Sequence, residues 1–216
     1  MKKIFLFFAA AVMSAGVASA QDINEAISLA NDGKAAFEAG LFDEAVQAFQ
    51  KSIGIAEGLG EAGAEHANTC KTAVCTIYLS NAKGLLKSGD YEGALSKLNE
   101  TISVAENYGI AETAADAKEL IPNVYMAQGN NALKAKDMAN AIAAYTKVTE
   151  INPENGDAYL RLGRAYAASG KVSEAVTAYE TAAVKGEEKD ANKQLSTLFT
   201  KMAQTSRKAQ KWQDVL

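Results

Sequence analysis

The sequence predicts an all-α protein, an α-solenoid of stacked antiparallel helical hairpins, and three observations indicate this. The 216 residues include only two prolines, and 48% of them are hydrophobic, which is enough apolar material to stack several small units. Apolar residues recur at helical spacing, as in Tyr159, Leu162 and Tyr166. One pattern, a helix, a short turn and a second helix, returns several times along the chain.

The clearest copy of this pattern lies between 152 and 182. Its first helix carries the apolar stripe named above, and Gly170 ends that helix. The second helix carries Ala175 and Tyr179 on one face. Gly163 is small where two helices have to approach closely, so we predict that it lies in a tight helix contact without room for a larger side chain.

This arrangement resembles the tetratricopeptide repeat, whose pattern runs aromatic, Leu-Gly, Tyr, then Ala, aromatic, Ala, with a proline closing the unit. The residues that carry the resemblance are Tyr159, Leu162, Gly163, Tyr166, Ala175, Tyr179 and Ala182, with Pro153 closing the preceding unit. Weaker copies have Asp32, Asn81 and Gln128 in place of the leucine. The resemblance implies a tetratricopeptide repeat superhelix over 21–216, with repeats at about 26–59, 75–108, 122–155 and 156–189 and a partial fifth at 196–216.

The spacing of the repeats predicts that two helical stretches are lengthened. The alanines that open each second helix are Ala45, Ala94, Ala141 and Ala175, so the intervals are 49, 47 and 34 residues. The first two intervals exceed the third by about four helical turns, which indicates longer helices and not loose inserts. Gly58, Gly60 and Gly109 mark the expected bends, and Pro122 should kink or restart the helix that contains it.

The N-terminus has the pattern of an export signal. Two lysines precede an apolar run over 4–17, and the small residues 18–20 then form a cleavage site. We therefore predict a signal peptide at 1–20, a mature chain that begins at Gln21, and a periplasmic or extracellular location. The apolar run is shorter than an ordinary membrane span, so we expect no span in the mature chain.

The charge balance disfavours one class of partner. The chain has 22 basic and 26 acidic side chains, and removal of the two signal lysines leaves 20 basic against 26 acidic, a balance of −6. An acidic chain is a poor partner for nucleic acid, so we expect none.

The sequence offers no set of residues for catalysis or for a cofactor. Cys70 and Cys75 are five apart, too far for an unstrained bridge on a continuous helix. Two interpretations stay open: small apolar fillers, which is the favoured one, or a local disulfide that requires a helix break. His66, the only histidine, is expected at the surface. Two cysteines without a converging ligand indicate no metal, and we expect neither a cofactor nor an enzyme.

The resemblance implies a function, because tetratricopeptide repeat proteins are mostly binding scaffolds without chemistry of their own. We predict a non-enzymatic protein-protein interaction scaffold of the bacterial cell envelope that binds a peptide or a partner protein in the repeat groove. The alternative is a structural or assembly subunit of an envelope complex that self-associates through its C-terminal end. The identity of the partner cannot be read from the sequence.

The resemblance also implies where the groove lies, along one stripe of each first helix. The candidate groove residues are Lys83, Lys87, Asn130, Lys134, Leu160, Arg161 and Arg164. Such a basic, amide-bearing groove would take an acidic segment or a C-terminal carboxylate. It only loosely resembles the carboxylate clamp of some family members, since Leu79 and Asp157 stand where basic residues are expected. The alternative is that Asp157 and Arg161 pair along their own helix and that the lysines are ordinary solvated residues.

Overall fold

The structure is a computed structural model that describes residues 17–213, with side chains for 20–208 and 210. The described chain is helical in the order α1 (Val17–Glu38), α2 (Phe42–Gly58), α3 (Glu61–Ser88), α4 (Tyr91–Tyr108), α5 (Ala111–Lys134), α6 (Met138–Ile151), α7 (Gly156–Ala168), α8 (Val172–Ala182) and α9 (Glu188–Gln213). The predicted signal lies almost entirely outside the described residues, as do Val215 and Leu216. Within the described range there is no strand, so the all-α prediction is confirmed.

Consecutive helices form antiparallel hairpins because only a few residues separate them. The α1–α2 and α7–α8 pairs pack together, and α6 packs on α7. The chain divides into two compact units. Unit 1 contains the described residues up to Lys87 and Gly93–Lys118, and unit 2 contains Ser88–Glu92 and the residues from Glu119 onward. Both units have the hairpin architecture that the sequence predicts.

The lengthened helices are confirmed. α3 has 28 residues and α5 has 24, whereas α7 and α8 have 13 and 11. The bends fall at Gly60 and Gly109, whose φ angles of 60° and 72° lie in the left-handed region that glycine adopts without strain. The helix does not restart at Pro122, because α5 runs through it without a break.

In three of the hairpins, a ring from the second helix packs directly on a glycine of the first helix. A Cβ atom on the glycine would come within 2.6–2.8 Å of a ring carbon in the pairs Gly33–Phe49, Gly129–Tyr145 and Gly163–Tyr179. The two members are 16 residues apart in all three pairs. At the same offset, α3 and α4 have the buried pair Ala82 and Leu98. The repeat therefore keeps one packing position, and the prediction for Gly163 is confirmed.

The two cysteines are free and fully buried. Both lie on the unbroken helix α3, Cys70 in the core around Phe49 and Val74, and Cys75 in a neighbouring cluster with Ala105. Burial raises the pKa of both thiols, that of Cys75 to about 11. They are apolar fillers, as the favoured interpretation predicted, and not a disulfide.

The surface prediction for His66 is wrong, because the structure places this side chain in a partly buried polar cluster. Ser52 Oγ donates to the carbonyl oxygen of Ala26 at 2.7 Å and lies 2.8 Å from His66 Nε2. The hydroxyl has one hydrogen, so Ser52 must accept from Nε2. Cys70 Sγ lies 3.4 Å from Ser52 Oγ. Burial lowers the pKa of His66, and a hydrogen bond to the Ala26 carbonyl opposes that shift.

The helices of the described part are amphipathic or polar. None of them carries an apolar stretch long enough to cross a bilayer.

Candidate functional site

The candidate binding residues of unit 2 lie on the last turns of α5 and along α7. Asn130 and Lys134 are one turn apart at the end of α5, and the next hairpin begins where Asn155 caps α7 by accepting from the amide of Ala158 at 3.0 Å. That cap sets the start of α7. The side chains of Asp157, Arg161 and Arg164 then share one stripe of the helix, because they are spaced by four and three residues.

A hydrogen-bond network fixes the centre of this surface. Asn130 Oδ1 accepts from the hydroxyl of Tyr145 at 2.8 Å and from Arg161 Nη1 at 2.9 Å. Arg161 Nε donates to Asp157 Oδ2 at 2.8 Å. The hydrogen bond to Asp157 is the main reason that the pKa of Arg161 is raised. The expected pairing of Asp157 with Arg161 is thus present, and the same guanidinium also bonds an amide of the preceding hairpin.

Tyr145 holds this network in place from below. Its side chain is fully buried under Gly129, and burial raises the pKa of its hydroxyl. The ring therefore cannot move without loss of core packing, and its hydroxyl orients Asn130 for Arg161. Tyr145 is not among the residues that were predicted for the groove. The signal that could have found its role is the constant offset of 16 residues, which places it beneath Gly129 and so beside Asn130.

Arg164 lies one turn further along α7 and has an unsatisfied donor. Its Nε atom is buried and has no hydrogen-bond partner among the described residues. The charge of Arg164 opposes the rise that burial causes in the pKa of the Tyr179 hydroxyl. A buried N–H without an acceptor costs about 1–3 kcal/mol, so a movement of the Arg164 side chain that brings this donor to a ligand acceptor would be favourable.

Leu160 does not belong to this surface. Its side chain is 3% exposed and packs in the core of unit 2 with Ala175, Tyr179 and Leu198. The prediction placed Leu160 in the groove because it is four residues before Arg164. The correction follows from helix geometry, since the stripe that contains Leu160 faces α8 and α9.

The three candidate lysines are exposed. Lys134 ends α5 in unit 2, whereas Lys83 and Lys87 are one turn apart near the end of α3 in unit 1. None of the three forms an ion pair with another described residue. Of the seven predicted residues, the hydrogen-bond network itself contains two, Asn130 and Arg161. Leu79, where a basic residue was expected, is 7% exposed and is a core residue.

The donor set of this surface consists of guanidinium, ammonium and amide groups. Among the described residues no three His, Cys, Asp or Glu side chains come together as metal ligands. Guanidinium and amide donors recognise carboxylates and other oxyanions through charge-assisted hydrogen bonds. These features define a helical-hairpin protein that carries basic and amide side chains together on α5 and α7 of unit 2.

The comparisons with known proteins agree with this class. The family model for the tetratricopeptide repeat matches residues 132–194, which span the end of α5 through the start of α9 and include Lys134, Arg161 and Arg164. The tetratricopeptide repeat family is therefore supported for this stretch. A search of curated proteins found no similar sequence.

Several solved structures are similar at low identity. The first repeat domain of Spaghetti (RPAP3) bound to an HSP90 peptide is 19% identical, with a TM-score of 0.41, over 60% of this chain and 93% of that one. The TPR2AB domain of yeast Sti1 is 16% identical, with a TM-score of 0.37, over 85% and 86%. MamA from Desulfovibrio magneticus RS-1 is 18% identical, with a TM-score of 0.31, over 86% and 97%.

Proposed function

We propose that this protein is an exported, non-enzymatic scaffold of the bacterial cell envelope that binds an acidic segment of a protein partner on unit 2. The binding residues are Asn130, Lys134, Arg161 and Arg164. The family of residues 132–194 supports a scaffold role, because such repeats are mostly binding modules. The polar surface on α5 and α7 supplies the chemistry for an acidic ligand.

The unsatisfied Nε of Arg164 is the observation that carries this proposal. A buried donor needs an acceptor, and the positive charge of the Arg164 guanidinium favours an anionic one. Arg161 is already oriented by Asp157 and Asn130, so a ligand would not have to order it on binding. An aspartate, a glutamate or a C-terminal carboxylate fits this set of donors.

The test is a titration with short acidic peptides at about 50 mM and about 500 mM salt, because the attraction of charges at a partly exposed site is screened by added ions. Wild-type protein is compared with a variant that carries Lys134→Ala, Arg161→Ala and Arg164→Ala. We expect binding of the wild type at low salt, weaker binding at high salt and loss of binding in the variant. Equal binding by both proteins, or binding that ignores salt, would refute the site.

A second variant, with fewer changes, tests whether binding is lost because the site is altered and not because the protein is misfolded. Lys134→Ala with Arg164→Gln leaves the Asn130–Arg161 network intact and removes two positive charges together with the unsatisfied donor. The matched control is Lys83→Ala with Lys87→Ala, which removes two exposed charges from unit 1. Binding lost only in the first of these variants assigns the ligand to unit 2, and binding lost only in the control overturns that assignment.

Export is part of the same proposal and rests on the signal pattern before Gln21. We expect the protein that is recovered from an exporting bacterium to begin at Gln21 and to appear in the periplasmic fraction. Intact-mass spectrometry measures the start. A chain that keeps Met1 in the cytoplasmic fraction contradicts the export proposal and leaves the peptide site to be judged by its own titration.

An assembly role is the second candidate, and exposed apolar side chains on α9 favour it. Phe199 is 50% exposed and Met202 is 41% exposed. Large apolar residues next to one another on a free helix are a feature of interaction surfaces. Sedimentation velocity over a range of concentrations tests this role, which predicts a mass that rises with concentration.

A further inference from the structure

The charges of this chain are separated along its length. From 191 to 213 there are five basic side chains and no acidic one, although acidic residues outnumber basic ones in the whole chain. The hairpin of α1 and α2 has the opposite composition. Its span, 21–58, contains seven acidic side chains and two basic ones, Lys34 and Lys51. The two ends of the described chain therefore carry complementary charge.

The basic end is a helix that its own unit covers only in part. Leu198 is buried against α7 and α8, but every side chain from 199 to 208 is exposed. We call 199–208 the exposed segment of α9. It presents the apolar pair Phe199 and Met202 on one stripe, with Lys201 and Lys208 on one side of that stripe and Arg207 on the other.

The acidic end has a matching tip, where the chain turns from α1 into α2. We define the acidic tip by Phe37, Glu38, Leu41, Phe42, Asp43 and Glu44. Leu41 is 47% exposed, and the half-buried rings of Phe37 and Phe42 pack edge to face beside it with centroids 5.9 Å apart. The three carboxylates are exposed around this apolar centre. The tip thus combines apolar contact area with a negative rim.

A protein surface suits the exposed segment better than a lipid surface. Helices that lie in a membrane interface need a broad apolar face. The stripe of Phe199 and Met202 continues with Thr205 and Ser206, so its apolar part ends after one turn. A short apolar contact with basic residues on both sides is the pattern of a docking surface for an acidic protein.

We propose that the exposed segment of α9 docks on the acidic tip of a second copy of this chain. Phe199 and Met202 contact Leu41 and its flanking rings, while the basic residues of α9 pair with the carboxylates of the rim. The contact joins two different surfaces, so in a docked pair one copy keeps a free tip and the other keeps a free α9, and association continues beyond a dimer. This inference rests on the assembly role proposed above and not on the peptide site.

The first experiment is sedimentation velocity at about 50 mM and about 500 mM salt. It uses the protein in the form in which it is purified from the producing cells, after any cleavage of the signal. We expect the average mass to rise with concentration at low salt, and the apparent dissociation constant to weaken about tenfold or more at high salt. A monomer at every concentration would overturn the proposal. So would association that salt leaves unchanged.

Charge reversal identifies the two surfaces. One variant carries Lys201→Glu, Arg207→Glu and Lys208→Glu. We expect it to stay monomeric, because its α9 now repels the tip. It keeps a native tip, however, so it should still bind a copy whose α9 is unchanged.

The second variant carries Glu38→Lys, Asp43→Lys and Glu44→Lys, and it should also be monomeric alone. The decisive sample is an equal mixture of the two variants, in which a native α9 meets a native tip and each reversed surface meets a reversed partner. We expect association to return in the mixture. Return of association also shows that both variants are folded. Two variants with native circular dichroism that remain monomeric when mixed would refute the docking.

A control with the same charge change separates this proposal from the peptide site. Lys83→Glu, Lys87→Glu and Lys134→Glu alter the candidate groove lysines and leave α9 and the tip intact. We expect this protein to associate like the wild type, whatever happens to its binding of acidic peptides. Loss of association in the control would assign the contact to other lysines. Wild-type protein that stays monomeric but binds vesicles of phosphatidylglycerol would assign α9 to lipid and overturn the proposal.

Discussion

Replacement of Gly163 by alanine should destabilise the protein, although alanine is the better helix former. An ideal Cβ at this position would lie 2.6 Å from two ring carbons of Tyr179, whose side chain is 2% exposed. Carbon atoms in contact are about 3.5–4.0 Å apart, so the buried ring would have to move by about 1 Å. Because the core around the ring is closely packed, neither the Tyr179 ring nor the backbone of α7 can move without loss of packing energy.

The magnitude follows from two opposing effects. Overpacking of a core position costs about 1–3 kcal/mol, whereas glycine to alanine in a helix interior gains at most about 1 kcal/mol. We therefore expect Gly163→Ala to lose about 1–2 kcal/mol, and the Tm to fall by about 2–8 °C in a thermal melt. The matched control is Gly54→Ala, where a Cβ would have nothing within 4 Å. It should leave stability unchanged or raise it.

The chain itself suggests a compensating change. At the offset that separates Gly163 from Tyr179, α3 and α4 have Ala82 and Leu98. Tyr179→Leu alone should cost about 2–4 kcal/mol through lost packing. When it is combined with Gly163→Ala, the total loss should be smaller than the sum by about 0.5–3 kcal/mol, since the added methyl fills part of the space. Losses that simply add, or Gly163→Ala as stable as the control, would refute the contact.

Three further predictions concern the interior of unit 1, where His66, Ser52 and the two cysteines lie. Burial lowers the pKa of His66 below the ordinary value of about 6.5, so the unfolded chain binds a proton at a higher pH than the folded chain does. The contribution of His66 to stability is therefore full above about pH 6.5 and falls as the pH drops through the lowered pKa. Urea midpoints should show this loss of stability, and the loss should be smaller in His66→Gln. Ser52→Ala removes the acceptor of Nε2–H and should cost about 1–3 kcal/mol, with an unchanged melt counting against the network. Cys70 and Cys75 should react with a thiol reagent only after unfolding, and a disulfide-linked peptide in a digest would contradict their free state.

Much of the candidate surface on α5 and α7 could be predicted because helical spacing places residues on stripes. Asn130, Lys134, Arg161 and Arg164 were selected by spacing, and all four lie on the helix ends or the stripe described above. Leu160 was wrongly included, since a spacing of four cannot say which stripe faces a neighbouring helix. That choice depends on the crossing of α7 with α8 and α9, which no local pattern encodes.

The error at His66 has a similar origin. The sequence around it is rich in alanine and short polar residues, which gives no sign of burial. Ser52, which accepts its hydrogen bond, lies on the preceding helix. A lone polar residue on a weakly amphipathic helix can be assigned to solvent or to a buried partner only when the facing helix is known.

The sequence by itself determined the helices, their lengthening, the bends and the repeated offset of 16 residues, because periodicity, capping and left-handed glycines act over a few residues at a time. Only the tertiary structure decided which donors meet which acceptors. Arg161 reaches an amide 31 residues away, and Ser52 reaches a carbonyl 26 residues away. Hydrogen bonds of this kind need heavy atoms within about 3 Å, a precision that depends on how whole helices pack and that a pattern along the chain does not contain.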